Sequence, residues 1–390
     1  MNLQIIRIIN FIKTINSLII LNIYFVCFRI FNKKKKIIFF YFPTKSYQDN
    51  LIELIKEINK DKNFKVFLGF NLGSSKEVKY NENSFFLNLG YLKYLFNLDM
   101  FVSSYIVYTL PKTNNKIYIN HDIYDAPMVS KENESSLAKS LKQYDYIFMS
   151  SEITLNMLKK KIDQVSYEKD SLTTKIVNTG YLKLDHVYRL VNESTNNDNS
   201  ILLAPTKSSV FLEYDMSQYI EAIISKVIFN KKLKIIYRPH PGDLKDRSQK
   251  EKVEKINKLF KSNENFILDT NTSYLNSYKS AKIMITDFSG TAYTYAFCKL
   301  KPVIFFSKNE NNLLKSDLSN LYYFKDRSEI GLVESNIDNL NNSINYVENN
   351  ISSYGEKIKI LRSKRIQYFN NSMKEHLRNI TKILINEKRN

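Results

Sequence analysis

The sequence predicts an α/β protein built from two parallel sheets, each wound on both faces by helices, behind an apolar N-terminal helix. Three observations carry this expectation. Short apolar runs of strand length alternate with amphipathic stretches of helical period. The polar segment VNESTNNDNS at 191–200 has no apolar period and divides the alternation into two series. The residues able to do chemistry fall just after strand-like runs, where open α/β sheets bind ligands. A length of 390 residues suits two domains. With 43% hydrophobic and 25% charged residues, the chain is neither mainly disordered nor a multi-pass membrane protein.

The first element is the apolar stretch Ile15–Phe31, within residues 1–36. Asn16, Asn22 and Arg29 interrupt it, leaving less than the ~20 residues of a bilayer span. No small-residue cleavage site marks a secretory signal. Ile5, Ile6, Ile9, Phe11, Ile12, Ile15, Leu18 and Ile19 share one broad helical face, with Arg7, Lys13 and Asn16 elsewhere. That pattern suits a helix lying in the membrane interface, with Lys33–Lys36 on anionic headgroups. A single span and an ordinary core helix are the alternatives. The net charge of +19 is concentrated at the ends: residues 1–45 hold eight Lys/Arg and no acid, and residues 356–390 hold ten against three acids. A Lys-, Asn- and Ile-rich composition raises basicity by itself, so a nucleic-acid partner is not expected. Cys27 and Cys298 are too few for a disulfide framework or a Cys-rich metal site, and both read as buried thiols in a reducing, cytoplasmic compartment. The expected location is peripheral, on the cytoplasmic face of the plasma membrane.

Residues 37–190 form the first series. Its strands are expected at Ile37–Phe42, Phe64–Leu68, Phe85–Leu87, Met100–Tyr108, Lys116–Ile119 and Tyr144–Met149, with helices at Leu51–Asn59 and Ser151–Lys161. The second series, 200–350, has strands at Ile201–Leu203, Leu233–Tyr237, Phe266–Leu268, Ile283–Ile285 and Val303–Phe306, separated by helices such as Ser217–Phe229, Lys250–Phe260 and Thr291–Leu300. A helical tail follows over 355–390. The result is two Rossmann-like domains facing a cleft.

Two of the four histidines stand at strand ends. Leu233–Tyr237 is followed by Arg238-Pro239-His240-Pro241-Gly242, where two prolines stiffen the turn. Arg238 offers a planar fork for phosphate oxygens, and His240 a donor that titrates near neutrality. After Ile283–Ile285 comes Thr286-Asp287-Phe288-Ser289-Gly290-Thr291, a strand-to-helix turn of small and hydroxyl residues whose amides would face an anion. The plainer reading is N-capping by Asp287 or Ser289. His121, after Lys116–Ile119, is a candidate general base with Asp122 and Asp125 nearby to orient it. His186 and His376 read as surface or packing residues. No spacing suggests a metal cage, and no Walker or GxGxxG loop is present in a chain with eight glycines, so neither a metal nor a cofactor is expected.

Ala204-Pro205-Thr206, Arg238-Pro239-His240-Pro241 and Thr286-Asp287-Phe288-Ser289, in that order, resemble the CDP-glycerol glycerophosphotransferases of the teichoic-acid type. Gly180-Tyr181-Leu182-Lys183-Leu184-Asp185 is similar to that family's Gly-x-Pro-(Arg/Lys)-x-Asp segment, with Leu182 in place of proline. The resemblance runs from about His121 to Phe306. It implies a GT-B-like fold, membrane-surface attachment, and transfer of glycerol-phosphate or ribitol-phosphate from a CDP-activated donor, with release of CMP. The partners implied are that nucleotide-activated polyol donor, a membrane-bound glycan or lipid-linked acceptor, and the anionic membrane surface. By the same resemblance Arg238 and His240 bind the pyrophosphate, Thr206, Asp287, Ser289, Gly290 and Thr291 cradle the donor, and His121 takes the acceptor proton. His121 matches the histidine of a His-Gly-x-Pro segment, with Asp122 in place of glycine and the proline later, at Pro127. Two other readings stay open: a GT-B glycosyltransferase using a CMP- or UDP-sugar in capsule or surface polysaccharide synthesis, and a non-enzymatic basic protein.

Overall fold

The computed structural model describes residues 3–44, 47–48, 50–71, 84–124, 140–165, 174–193, 199–208, 216–230 and 233–386. The chain forms two compact units: Met1–His121, Lys131–Asp185 and Ile366–Asn390 make one, Asp122–Ser130 and His186–Arg365 the other.

The first unit opens with helix α1 (Leu3–Phe31). Among the described residues seven parallel strands follow: β1 (Lys36–Phe42), β2 (Phe64–Phe70), β3 (Ser84–Phe86), β4 (Met100–Ser103), β5 (Lys116–Ile119), β6 (Tyr146–Met149) and β7 (Lys175–Asn178), in the order β3-β2-β1-β4-β5-β6-β7. Every residue of β1 after Lys36 is buried, because the strand is covered on both faces. Ile37, Phe39 and Tyr41 pack with Leu18, Leu21 and Phe25 of α1. Ile38, Phe40 and Phe42 pack instead with Leu54 and Ile58 of α2 (Ile52–Lys60) and with Ile380 and Leu384 of a C-terminal helix. The strand expected to run to Tyr108 ends at Ser103, whose hydroxyl accepts from the Tyr105 amide at 3.1 Å and so turns the chain. Helix α3 (Glu152–Val165) precedes the last strand, and α4 (Leu182–Asn192) follows it, running from the first unit into the second after Asp185.

Helix α1 carries two apolar faces. Its buried face is Leu18, Leu21 and Phe25, whereas Ile9, Phe11, Ile12 and Ile19 of the expected apolar face are exposed. Asn22, read as an interruption, anchors the helix: its amide donates to the Tyr94 carbonyl (3.0 Å) and accepts from the Phe96 amide (3.2 Å). Arg29 pairs with buried Asp99, which also takes the Lys36 ammonium at 3.0 Å and the Ile37 amide at 2.6 Å. Lys36 therefore belongs to the fold rather than to the basic cluster, while Lys33 and Lys34 are exposed. Ile9–Phe31 is long and apolar enough to cross a membrane by length and composition, with mean hydropathy 1.8. Ile20, Ile23, Val26 and Ile30 are exposed along it, as is Cys27; of the two thiols expected inside, only Cys298 is buried.

Among its described residues the second unit has six parallel strands: β8 (Ser200–Leu203), β9 (Lys234–Tyr237), β10 (Phe266–Leu268), β11 (Ala281–Thr286), β12 (Val303–Phe306) and β13 (Gly331–Glu334), in the order β10-β9-β8-β11-β12-β13. Helices α5 (Arg247–Phe260), α6 (Thr291–Lys299), α7 (Leu340–Asn349) and α8 (Ile351–Arg365) surround them. Asp326 accepts the Tyr124 hydroxyl at 2.8 Å and both arms of the Arg365 guanidinium at 2.8 and 2.9 Å.

The tail expected at 355–390 is divided between the units. Helix α8 belongs to the second, and α9 (Ser372–Asn386) packs into the first.

Candidate functional site

In the second unit the sheet order reverses between β8 and β11, a topological switch point of the kind that gathers ligand-binding loops. The loops leaving β9, β8 and β11 carry the residues singled out in the sequence, and two carboxylates cross-link them. Asp287 is buried, and its oxygens accept from the amides of Thr206 (2.8 Å), Phe288 (2.8 Å) and Met216 (3.3 Å). Burial pushes its carboxyl up to about 6, against the opposing pull of those amides. Asp243 accepts from the Ser208 amide (3.3 Å) and hydroxyl (3.1 Å), tying the β8 loop to the β9 loop. A cavity of about 30 Å³ lies beside these links, lined by Thr206, Ser208, Tyr237 and Asp243 together with apolar residues such as Ile220 and Val253.

This geometry revises three expected donor ligands. Asp287 turns inward and braces loops, with its oxygens already occupied. The Thr206 amide is spent on Asp287, leaving the side chain to line the cavity. Arg238 is held by the protein: Nη1 meets Asp269 at 2.6 Å, and Nη2 donates to the carbonyls of Asn271 (2.8 Å) and Thr272 (3.3 Å). Burial would raise the Asp269 carboxyl, but hydrogen bonds from Ser277 and Asn271 and the Arg238 charge outweigh it and hold the group low. The guanidinium thus serves an internal anion first.

His240 is placed differently. The Gly242 amide donates to its Nδ1 at 3.0 Å, so the neutral ring carries its proton on Nε2 and presents a donor. Burial lowers its pKa; Asp243 opposes this and Lys207 adds to it. Gly242 packs closely: a Cβ there would lie 3.0 Å from His240 Nδ1 and 3.2 Å from Lys207 Cδ and Cε, so those side chains would have to yield.

At the β11 turn, Ser289 and Thr291 are half-buried and Gly290 is exposed, with open space where a Cβ would stand. The amides of Ser289 and Gly290 donate to no acceptor among the described residues. Two buried tyrosines hold the turn from beneath. Tyr323 donates to the Ser289 carbonyl at 3.1 Å, and the Tyr278 hydroxyl meets Thr291 Oγ1. The start of α6 therefore presents amides and hydroxyls to an anion.

The switch point of the first unit lies between β1 and β4, and His121 leaves β5 next to it. Its ring is edge-on to Tyr47 at 5.2 Å, and Tyr47 meets Tyr105 at 5.3 Å. The His121 carbonyl accepts the Tyr181 hydroxyl at 2.5 Å. Gly180, at φ 81°, approaches Tyr368 and Ser372 where a Cβ would clash. Asp185 accepts from the amides of Asn370 (2.8 Å) and Ser372 (3.0 Å), capping α9. The Gly180–Asp185 segment thus supports both the His121 loop and the C-terminal helix. His376 is the packing residue expected: Nδ1 faces the Ser372 carbonyl at 2.7 Å, Nε2 faces the Thr179 hydroxyl at 3.1 Å, and burial pushes its pKa down to about 4. Asp122 is exposed and Asp125 lies outside the described residues. Among the described residues no group of three His, Cys, Asp or Glu side chains could hold a metal ion. Sequence reasoning missed Lys207, Asp243, Asp269 and the two tyrosines; only Lys207, directly after Ala204-Pro205-Thr206, carried a signal.

The family model of the LIC12162 family transferases matches residues 174–354. No curated protein matches the chain in sequence. Among solved structures, the wall teichoic acid polymerase TagF aligns with 98% of this chain and 99% of its own at 15% identity, TM-score 0.61. A histidine variant of that polymerase soaked with CDPG aligns over 97% and 98% at 14% identity, TM-score 0.59. A UDP-N-acetylglucosamine 2-epimerase aligns over 92% and 97% at 11% identity, TM-score 0.55. At these identities the likeness concerns the architecture: two parallel α/β sheets in a GT-B-like fold, with an apolar N-terminal helix before the first.

Proposed function

We propose that the chain is a transferase that moves a polyol-phosphate, glycerol- or ribitol-phosphate, from a CDP-activated donor to a hydroxyl of a cell-surface glycan or lipid-linked acceptor. The observation that carries this reading is the second unit's switch point, where His240 offers Nε2–H and the Ser289–Thr291 turn offers amides and hydroxyls. The family match over 174–354 and the likeness to TagF support it. In the reaction, the acceptor oxygen forms a bond to the phosphorus of the polyol-phosphate as the bridging bond to CMP breaks. The acceptor proton passes to His121, and Nε2–H of His240 donates to a phosphate oxygen on the departing side. The phosphorus already carries negative oxygens, so the protein contributes positioning and charge stabilisation. A positioned general base contributes ~10²–10⁴-fold.

The outer face of α1 supports peripheral attachment at the cytoplasmic side of the membrane, where such an acceptor is held. Ile19, Ile20, Ile23, Val26 and Ile30 are exposed there, with Lys33 and Lys34 just beyond. Purified protein given CDP-glycerol or CDP-ribitol and a lipid-linked acceptor is expected to release CMP. His240→Ala should lose at least ~10²-fold in rate with its melting temperature kept; full activity in that variant would remove His240 from the site. The same fold admits a second reading, a glycosyltransferase for a CMP- or UDP-sugar; the epimerase that shares the architecture is named for a UDP-sugar. Thermal shifts across a panel of CDP-polyols, CMP-sugars and UDP-sugars separate the two, since a bound donor raises apparent stability.

A further inference from the structure

We infer that Lys207, rather than Arg238, is the cation that receives the phosphate groups of an anionic ligand, with His240 Nε2–H as its hydrogen-bonding companion. The guanidinium of Arg238 faces inward: Asp269 neutralises it at 2.6 Å, two carbonyls take its other arm, and its side chain is only 11% exposed. An external diphosphate would compete with a carboxylate already seated. Lys207 carries no seated carboxylate, although its charge helps to hold Asp246 low. It forms no ion pair among the described residues, and it is half-buried on the β8 loop. Its Cδ and Cε lie close to Gly242, within 3.2 Å of where a Cβ would stand. The alkyl chain is therefore confined while the ammonium remains available. A held stem loses less rotamer freedom on binding than an exposed lysine would.

Position and tautomer make the pair complementary. Gly242 fixes Nδ1 of His240 as an acceptor, which leaves Nε2–H for the ligand. Burial lowers the pKa of that ring, Asp243 opposes the shift, and the Lys207 charge adds to it. Other charged and titratable groups of these loops are engaged elsewhere. Tyr237 is buried, with its hydroxyl pushed up by burial and then by Asp243. Asp246 caps α5 and is held low by Ser248, by the Gln249 amide and, to a smaller extent, by the Lys207 charge. Asp243 is bonded to Ser208, and Arg238 to Asp269. A lysine and a neutral imidazole donor then meet adjacent phosphate oxygens with one fixed charge and one directed hydrogen bond. The diphosphate class of ligand rests on the transferase reading; the anion site does not.

The test uses the full chain and inorganic pyrophosphate. Calorimetric titration should show binding to wild type, at least ~10-fold weakening in Lys207→Met, and recovery to within ~3-fold in Lys207→Arg. In parallel, NMR titration of His240 should show its pKa rising in Lys207→Met. Melting temperatures of both variants should match wild type; for a variant that does not fold, the remaining one and the wild-type titration decide. Unchanged pyrophosphate affinity in Lys207→Met, or no binding to wild type, overturns the assignment. Lys207-dependent binding of pyrophosphate without CMP release from any CDP-polyol upholds this site and removes the transferase reading instead.

Discussion

Asp287 and His376 are buried titratable groups with opposite effects on stability. The folded pKa of Asp287, about 6, lies above its unfolded value of 3.8. Its contribution is present below that unfolded value and is lost as pH rises through about 6. His376, at about 4 against 6.5 unfolded, contributes stability that is present above 6.5 and lost as pH falls through about 4. Each shift corresponds to about 3 kcal/mol. Between pH 4 and 6 the two slopes oppose each other, so the wild-type profile alone hides both. Paired variants reveal them. The stability advantage of wild type over His376→Gln should shrink as pH drops from 6.5 to 4. The difference between wild type and Asp287→Asn should move in wild type's favour over the same fall. Urea unfolding at a series of pH values checks both, and a pH-independent difference in either pair would contradict the buried assignment.

At the scale of elements, α1 has two apolar faces with different work. One face belongs to the core, where truncating Phe25 to Ala should cost about 3–5 kcal/mol. The other is exposed, and Ile20→Asp with Ile23→Asp should leave the melting temperature near wild type while abolishing flotation with anionic liposomes. Retained flotation would place membrane contact elsewhere. The same helix shows what the sequence conveys. Its apolar character is plain, but which face is buried depends on Tyr94, Phe96 and Asp99, some 70 residues away, so spacing within the helix could not select it. Central strands such as KIIFFYF are legible because both faces are covered and every position is apolar. The strands β7 (KIVN) and β13 (GLVE) close the edges of their sheets with two apolar residues each, and neither has enough period to be recognised. The site follows the same rule. Arg-Pro-His-Pro-Gly and Thr-Asp-Phe-Ser-Gly-Thr are visible because proline, glycine and histidine after a strand are uncommon together. The partners that commit Arg238 to Asp269 and Asp287 to Thr206 are set by strand order, which no local pattern contains.

For the whole molecule, the division at 121/122 and 365/366 gives Asp326 unusual reach. It holds Tyr124, three residues past one crossing, and Arg365, the last residue before the other. Asp326→Ala leaves a guanidinium only 15% exposed without its counter-ion, and should cost the second unit about 3–5 kcal/mol in chemical unfolding. Tyr124→Phe should cost about 1 kcal/mol. Equal effects of the two would mean that the ion pair adds nothing beyond the hydroxyl contact.

The return of α9 to the first unit also sets an order of events during synthesis. Ile380, Ile383 and Leu384 complete a layer of hydrophobic packing begun by residues near the N-terminus. The unit whose strands leave the ribosome first therefore waits, with one sheet face covered only in part by α2, until α9 emerges. The centrally encoded unit meets no such delay, and a nascent chain stalled before residue 372 should already protect its second sheet from proteolysis while the first remains open to attack.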